Sequence, residues 1–234
     1  MIRLGLPSKG RLQEAAIAWF ADRGVPVSRT GGDREYRGSV GADGVELVLL
    51  SAAEIPRELA AGRLHLGVTG QDLVREEIPR WDERLAELAP MGFGFADLVV
   101  AVPAFWIDVA DMGDLDAAAA DFRLRHGHRL RVATKYHHLT RAFFEAHGIA
   151  DYQLVDSQGA TEGTVTNRVA EAVADITTTG STLRDNHLRV LADGLILRSQ
   201  ATLFLSRAAP RDAAADASLA AFTARLGLAP VVAG

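Results

Sequence analysis

Residues 170–182 read AEAVADITTTGST, an apolar-rich run that leads through Asp175 into a turn of hydroxyl side chains around Gly180. Glycine permits the left-handed or closely approached backbone that such a turn needs. Loop N–H groups and hydroxyls donate to anionic oxygens, and a helix that begins near Leu183 adds a favourable dipole. Asp175 suits sugar hydroxyls or a phosphate-bound cation. A turn that only caps a helix is the alternative, but five hydroxyls, a glycine and an acid within eight residues favour a phosphate-binding loop.

The same alternation of short apolar runs and helical patterns extends along the chain. It predicts an α/β fold with mostly parallel strands. Strands are expected at 2–6, 45–50, 64–68, 97–102, 130–133 and 152–155. A helix is expected over residues 161–172, and one long strand over residues 195–205.

A length of 234 residues is enough for two lobes. The pattern changes after Pro90, and the glycines near residues 91–96 are typical of a hinge. Two α/β lobes with a ligand cleft between them are therefore predicted. Lobe I is expected to comprise residues 1–93 with about 188–234, and lobe II residues 94–187.

Composition narrows the class of protein. The hydrophobic content of 48% and the charged content of 24% are those of an ordinary soluble globular protein. The net charge of -5 provides no global field for nucleic acid or an anionic membrane. The absence of cysteine excludes disulfides and thiolate chemistry, and the histidines lack metal-ligand spacing. No signal peptide or membrane-length apolar run is found, so a cytoplasmic protein is expected.

Three further loops follow predicted strands, at the edge where open α/β sheets bind ligands. The first, Ser8-Lys9-Gly10-Arg11, places two cations where a helix dipole disfavours them, which indicates an anionic ligand. The second is Thr69-Gly70-Gln71-Asp72, and the third is Thr134-Lys135-Tyr136. Together with the loop around Gly180, they suit a nucleotide and a polyphosphate.

The ordered set of motifs is more specific than any one of them. It includes LPSKGR at 6–11, LGVTGQD at 66–72, RVATKY at 131–136 with LTR at 139–141, GATE at 159–162, and residues 174–183. In this order, across roughly residues 2 to 206, the chain resembles the short-form ATP phosphoribosyltransferases, which catalyse the first step of histidine biosynthesis.

The resemblance implies two lobes like those of type II periplasmic binding proteins. It implies a glycosyltransferase that joins adenine N1 of ATP to C1 of phosphoribosyl pyrophosphate and releases pyrophosphate. The residues implied to bind phosphoribosyl pyrophosphate are Lys135, Thr161, Glu162, Asp175, Thr177, Thr178, Thr179, Gly180, Ser181 and Thr182. Those implied to bind the nucleotide are Ser8, Lys9, Gly10, Arg11, Gly70 and Asp72. Mg²⁺ is expected as the cofactor, held mainly by substrate phosphates and not by the protein alone.

One departure concerns the leaving group. Many members of the family carry an arginine where this chain has Ser51, in the run SAAEIP at 51–56. Lys9, Arg34 and Arg37 are therefore the expected catalytic cations for departing pyrophosphate, with Arg57 as another candidate. The alternative is that the loop at 31–38 is only a surface hairpin and that Lys9 and Mg²⁺ suffice.

The short form further implies a homodimer that joins a hetero-oligomer with a histidyl-tRNA-synthetase-like regulatory subunit. Three other readings stay open at this point. One is a phosphoribosyltransferase with another acceptor base, the second is a small-molecule binding module of the same fold, and the third is a non-catalytic paralogue kept for partner binding.

Overall fold

The computed structural model describes residues 1–29, 37–157, 159 and 161–229, except that the side chains of Arg29 and Arg37 lie outside the description. It divides into two compact units, one formed by Met1–Gly94 with Gln200–Gly234 and the other by Phe95–Ser199. Each unit is built around its own sheet.

Unit 1 contains a seven-stranded sheet in the order β2-β3-β4-β1-β5-β12-β6. Strands β4, β1 and β5 are parallel, and the remaining pairs are antiparallel. Its elements are β1 (Ile2–Pro7), α1 (Gly10–Ala21), β2 (Val27–Arg29), β3 (Arg37–Val40), β4 (Val45–Leu50), α2 (Ile55–Ala60), β5 (Leu66–Gly70), α3 (Gln71–Glu77), α4 (Trp81–Arg84), β6 (Leu85–Pro90), β12 (Ala201–Ser206) and α9 (Ala213–Arg225).

Two apolar clusters cover this sheet because successive side chains of a strand point to opposite faces. Phe20 of α1 and Phe222 of α9 pack in one cluster with Ile2, Leu4 and Leu6 of β1. The other cluster joins α2 and α3 to the sheet through Leu59, Val74 and Phe204. The parallel centre of the sheet is thereby buried on both sides, as parallel sheets require.

Unit 2 contains a five-stranded sheet in the order β11-β7-β10-β8-β9. Strands β10, β8 and β9 are parallel, and β7 is antiparallel to both of its neighbours. Its elements are β7 (Ala96–Pro103), α5 (Met112–His126), β8 (Leu130–Thr134), α6 (His137–Ala146), β9 (Tyr152–Asp156), α7 (Gly163–Thr166), β10 (Ala172–Thr177), α8 (Ser181–Asp185) and β11 (Leu188–Ser199).

The α/β class is confirmed, but two predicted elements were wrong. The helix expected over residues 161–172 is the short α7, which ends at Thr166 and is followed by Arg168 in the left-handed region. The strand expected over residues 195–205 is two strands, since Ser199 pairs with Ala96 in unit 2 and Ala201 pairs with Gly70 in unit 1. The change of sheet at residue 200 could not be seen in a continuous apolar run.

The same change of sheet moves a domain boundary. Residues 188–199 were assigned to lobe I, whereas the structure places them in unit 2 as β11. The reason is the ladder that β11 forms with β7, from Leu188 opposite Pro103 to Ser199 opposite Ala96. Within the described ranges, no helix is long and apolar enough to cross a membrane.

One buried histidine links three segments of unit 1. The backbone N–H of Arg3 donates to His65 Nδ1 at 3.1 Å, so Nε2 carries the ring proton and donates to the Pro210 carbonyl at 3.2 Å. Burial lowers the pKa of His65, and the nearby amino terminus, Arg211 and Arg3 lower it further, although the bond to Pro210 opposes them. The fold therefore holds His65 as the neutral imidazole.

We predict that His65 makes the stability of the chain sensitive to acid. Because its folded pKa lies below its unfolded value, the unfolded chain binds the proton more readily, and stability is lost as the pH falls below about 6.5. In His65→Gln, the amide can accept from Arg3 and donate to Pro210 without titrating. Urea unfolding between pH 8 and pH 5.5 should show a shallower loss of stability in the variant; equal slopes would contradict the assignment.

Candidate functional site

The candidate ligand loops of unit 2 meet at one edge of its sheet. Strands β10, β8 and β9 are parallel neighbours, so their carboxyl ends lie side by side. Ala174, Thr134 and Asp156 are level in the register of the three strands. Asp175 follows Ala174, Lys135 follows Thr134, and Ser157 follows Asp156. The register thus explains how residues far apart in sequence come together.

Asp175 is held by a chain of hydroxyl groups. Ser157 Oγ donates to Thr161 Oγ1 at 2.8 Å, and the Thr161 hydroxyl in turn hydrogen-bonds the Asp175 carboxylate. The backbone N–H of Ile176 donates to Asp175 Oδ1 at 2.9 Å. Thr161 is fully buried. Its hydroxyl therefore lies against Asp175 in the interior and not at the surface.

The surroundings of Asp175 oppose its ionisation. Burial raises the pKa of its carboxyl above the usual value, while the Ile176 N–H, the Thr161 hydroxyl and the charge of Lys135 act in the other direction, and Glu162 raises the pKa further. Lys135 is exposed, and its Nζ donates to the Gly159 carbonyl at 2.6 Å. A half-buried carboxylate of this kind gains from a hydroxyl or a cation brought by a ligand.

The turn after β10 is shaped by its own hydroxyls. Gly180 has φ 71°, in the left-handed region, and its N–H donates to Thr177 Oγ1 at 2.8 Å. The N–H of Ser181 donates to Thr179 Oγ1 at 3.3 Å, and Thr178 Oγ1 donates to the Phe95 carbonyl at 3.0 Å. These bonds hold the turn in one conformation.

The hydroxyls therefore divide into two roles that the sequence did not separate. Thr177 accepts a hydrogen bond from the Gly180 amide and keeps its O–H group as a donor, whereas Thr178 uses its O–H group on Phe95. The hydroxyls of Thr179 and Ser181 hydrogen-bond each other at 2.9 Å, so one of these two O–H groups is engaged within the turn. Ser181 and Thr182 lie exposed at the start of α8. Strand β10 also runs to Thr177, so Asp175 stands within the strand and not at its end.

In unit 1 the loop at Ser8–Arg11 borders a depression of about 650 Å³. Lys9 has an extended backbone and precedes α1, and Gly10 follows with φ 78°. The side chains of Lys9 and Arg11 are exposed, and the N–H of Ser8 donates to the Leu50 carbonyl at 2.7 Å. The residues that line the depression are Arg3, Ser8, Lys9, Glu46, Leu47, Val48, Leu49, Leu50, Ser51 and Glu54.

The other predicted nucleotide residues have a different setting. Gly70 ends β5, and Asp72 is buried in the first turn of α3. The Thr69 hydroxyl beside them donates to the Ala52 carbonyl at 2.9 Å, which ties the β5 loop to the turn that precedes α2. Asp72 is therefore enclosed by protein, whereas Lys9 and Arg11 reach solvent.

The turn at Ser51 is closed by an acid. Both the N–H and the hydroxyl of Ser51 donate to Glu54 Oε2, at 2.9 Å and 2.7 Å. These bonds lower the pKa of Glu54. Arg57 forms an exposed ion pair with Glu77 at 2.7 Å. Arg34 lies outside the described residues, and Arg37 begins β3 with its side chain outside the description.

Two buried polar residues, Ser157 and Gln13, are not predicted from the sequence. Ser157 begins the hydroxyl chain to Asp175, and no local pattern marks it because its partner is set by the β9 register. Gln13 is buried on α1, and its Nε2 atom has no hydrogen-bond partner within the described ranges. The sequence signal for the burial of Gln13 is its position between the apolar residues Leu12 and Ala16.

Metal ligands do not cluster in the described ranges, where no group of three or more His, Cys, Asp or Glu side chains could hold an ion. Asp175 offers one carboxylate beside hydroxyl donors. Such a donor set fits an ion that keeps most of its ligands from water and from substrate phosphates.

Comparison with known proteins identifies relatives across nearly the whole chain. The ATP phosphoribosyltransferase family model (HisG) matches residues 51–227. An ATP phosphoribosyltransferase of Cereibacter sphaeroides is 64% identical over 97% of this chain and 96% of its own length. One from Mesorhizobium japonicum is 53% identical over 94% and 95%, and one from Bradyrhizobium sp. is 55% identical over 90% of this chain and 67% of its own length.

Solved structures show the fold alone. The ATP phosphoribosyl transferase (HisG:HisZ) complex from Thermotoga maritima contains a chain with a TM-score of 0.72 and 19% identity, matched over 97% of both chains. The substrate binding protein of an amino acid ABC transporter has a TM-score of 0.51 and 12% identity, over 97% of this chain and 91% of its own. The expected likeness to type II periplasmic binding proteins is confirmed.

We predict that Gly180→Ala destabilises the loop. A Cβ at φ 71° is strained, and it would lie 3.0 Å from Arg184 Nη1. The free energy of unfolding should fall by about 1 kcal/mol or somewhat more. Gly163→Ala is the matched control, since its φ is ordinary and a Cβ there meets nothing within 4 Å. Chemical denaturation of both variants checks this, and equal stability of the two would contradict it.

Proposed function

The chain belongs to the ATP phosphoribosyltransferase family, and we propose that its two units divide the substrates, ATP to unit 1 and phosphoribosyl pyrophosphate to unit 2. The family's enzyme performs the first step of histidine biosynthesis. In that reaction a bond forms between adenine N1 and ribose C1, the bond from C1 to pyrophosphate oxygen breaks, and its electron pair leaves with pyrophosphate.

The observation that carries the assignment of unit 2 is the Ser157–Thr161–Asp175 chain beside the turn at Gly180. We assign Asp175 to the ribose hydroxyls, which a carboxylate binds as an acceptor. The O–H groups of Thr177 and Thr182 and the loop amides donate to the 5-phosphate. The O–H group that the bond between Thr179 and Ser181 leaves free is a further donor. Lys135 and Glu162 border this site, and Thr161 acts through Asp175 as a positioning residue.

The chemistry makes modest demands on the protein. Adenine N1 already carries a lone pair, so no strong base is needed at that atom. The protein must align the two substrates and stabilise the positive charge that develops at C1 and the negative charge of the leaving group. The fixed acceptor Asp175 and the fixed turn at Gly180 serve alignment, because their hydrogen bonds exist before a ligand arrives.

For the nucleotide we propose the depression beside Ser8, Lys9, Gly10 and Arg11. The exposed charges of Lys9 and Arg11 would neutralise the triphosphate, and the open backbone at Gly10 allows close approach. Gly70 and Asp72 support this surface from the neighbouring strand.

The leaving group needs cations. We keep Lys9, Arg34 and Arg37 as candidates, since Arg57 already pairs with Glu77 and residue 51 is a serine engaged with Glu54. Mg²⁺ is proposed to enter with phosphoribosyl pyrophosphate, as part of the substrate, and to supply positive charge at its phosphates.

The assembly and location are also proposals. We propose a cytoplasmic homodimer that associates with a histidyl-tRNA-synthetase-like regulatory subunit. The near-complete match to a chain of a two-component complex from Thermotoga maritima supports this arrangement. The match covers 97% of that chain, so this chain has the dimensions of one component.

We predict that the purified chain, with ATP, phosphoribosyl pyrophosphate and Mg²⁺, forms N1-phosphoribosyl-ATP and pyrophosphate. Mass detection of the product, coupled to pyrophosphatase, is the measurement. Omission of ATP and its replacement by free adenine are the controls for acceptor choice. Product only after a regulatory subunit is added would make the partner necessary for turnover. Failure in both conditions, or product with another acceptor base, would overturn the assignment.

A second prediction concerns Asp175 and Thr182. Asp175→Ala and Thr182→Val should each weaken phosphoribosyl pyrophosphate binding by roughly ten-fold or more, the loss of one hydrogen bond to a charged group. ATP binding should change less than three-fold. Asp185→Asn is the matched control, because Asp185 is an exposed carboxylate on α8. Calorimetric titration with each substrate separates the two effects, and normal binding of both by both variants would refute the assignment.

A further inference from the structure

The turn at Gly180 uses many of its own polar groups to hold its shape. The N–H of Gly180 donates to Thr177 Oγ1 at 2.8 Å. The N–H of Ser181 donates to Thr179 Oγ1, and the hydroxyls of these two residues bond to each other. Thr178 donates its hydroxyl to a backbone carbonyl. The donors that remain for a ligand are few, and all of them are neutral.

A phosphate monoester is bound best by a charged donor. It carries a charge of about -1.5 to -2 near pH 7, and a hydrogen bond from a charged donor is roughly twice as strong as one from a neutral donor. Helix α8 has five residues, so its dipole supplies little positive charge. Lys135 stands at the ribose end of the site, because its charge acts on Asp175 and its Nζ donates to the Gly159 carbonyl. The phosphate end therefore needs another cation.

Arg184 brings a cation to the turn. Its Nη1 donates to the Thr179 carbonyl at 3.1 Å, which holds the guanidinium back against the turn from its position on α8. The side chain is exposed, and among the residues that the structure describes it forms no ion pair with a carboxylate. A guanidinium has several further N–H donors in the same plane. Those donors face no acid and are open to a ligand.

Gly180 makes this close approach possible. A Cβ built on Gly180 would lie 3.0 Å from Arg184 Nη1 and 3.9 Å from Arg184 Cζ. The guanidinium thus lies directly against the backbone of the turn, with no side chain between them. The missing side chain at residue 180 both permits the left-handed backbone and admits the cation.

We propose that Arg184 binds the 5-phosphate of phosphoribosyl pyrophosphate, with its remaining N–H groups on the phosphate oxygens. A planar guanidinium can bind two oxygens of a phosphate at once, which fixes the orientation of the phosphate as well as its charge. This role rests on the assignment of phosphoribosyl pyrophosphate to unit 2. It adds to that assignment a positive charge at the phosphate end of the ligand.

The competing role for Arg184 is that of a brace, in which its bond to the Thr179 carbonyl only stiffens the turn. The two roles need different properties of the side chain. A brace needs an N–H donor, whereas binding of the phosphate needs positive charge. Arg184→Gln keeps an amide donor and removes the charge, and Arg184→Lys keeps both a donor and the charge. The pair of variants therefore separates the two roles.

Calorimetric titration with ribose 5-phosphate isolates the phosphate in question, because this ligand has no pyrophosphate group. Arg184→Gln should weaken the binding of ribose 5-phosphate by roughly ten-fold or more, the loss of a hydrogen bond to a charged group. It should weaken phosphoribosyl pyrophosphate with Mg²⁺ by the same factor. Arg184→Lys should recover most of the lost affinity. The binding of ATP and of pyrophosphate should not change in either variant.

Kinetics and a matched control complete the test. The 5-phosphate keeps its charge throughout the reaction, so Arg184→Gln should raise KM for phosphoribosyl pyrophosphate and leave kcat nearly unchanged. Arg129→Gln removes another exposed arginine of unit 2 that has no ion pair among the described residues. Arg129 directly precedes β8, at the edge of the sheet opposite to the site. Its substitution should leave every affinity as in the wild type.

The outcomes distinguish this proposal from the one on which it rests. If the wild type binds ribose 5-phosphate and Arg184→Gln binds it equally well, the role of Arg184 is wrong and the assignment of unit 2 stands. Equal losses in Arg184→Gln and Arg184→Lys would identify a brace and would also overturn the proposal. A wild-type chain that binds neither ribose 5-phosphate nor phosphoribosyl pyrophosphate would refute the assignment of unit 2 itself, and the role of Arg184 with it.

Discussion

The register of three parallel strands determines the candidate site of unit 2. Ala174, Thr134 and Asp156 are held level by the β10–β8 and β8–β9 ladders. A shift of one residue in either ladder would turn the following side chains to the other face of the sheet. Asp175, Lys135 and Ser157 then could not share one edge. Backbone hydrogen bonds thus decide which side chains can act together, before any of these side chains makes a contact of its own.

The sequence predicted the loops because their signals are local. An apolar run followed by glycine and hydroxyls marks a strand and a turn wherever it occurs. The sequence could not assign the hydroxyls of the Gly180 turn to separate roles. Whether Thr178 faces a ligand or the Phe95 carbonyl depends on a residue 83 positions away.

The two wrong predictions of secondary structure have one physical origin. The strands with which a segment pairs outweigh the local pattern of its sequence. The run at residues 195–205 is apolar enough for one strand, yet it is divided at Gln200 because its halves find different sheets. Residues 161–172 contain helix formers, but Ala172 begins β10 and pairs with Val132 of β8. Buried Thr161 is bound by Ser157 and by Asp175, and neither contact has a signature in the sequence around it.

The half-buried position of the Asp175 carboxylate costs the folded protein stability. A half-buried carboxylate resists ionisation, and apolar replacements at such positions often leave a protein no less stable. The Ile176 N–H, the Thr161 hydroxyl and the charge of Lys135 reduce that cost only in part, since the pKa of Asp175 remains above its usual value. The unmet part of its hydrogen-bonding capacity is what a sugar hydroxyl or a cation can satisfy. A ligand that does so offsets the cost of burying the Asp175 carboxylate in the free protein. The same interaction then contributes to binding affinity and fixes the ligand's orientation.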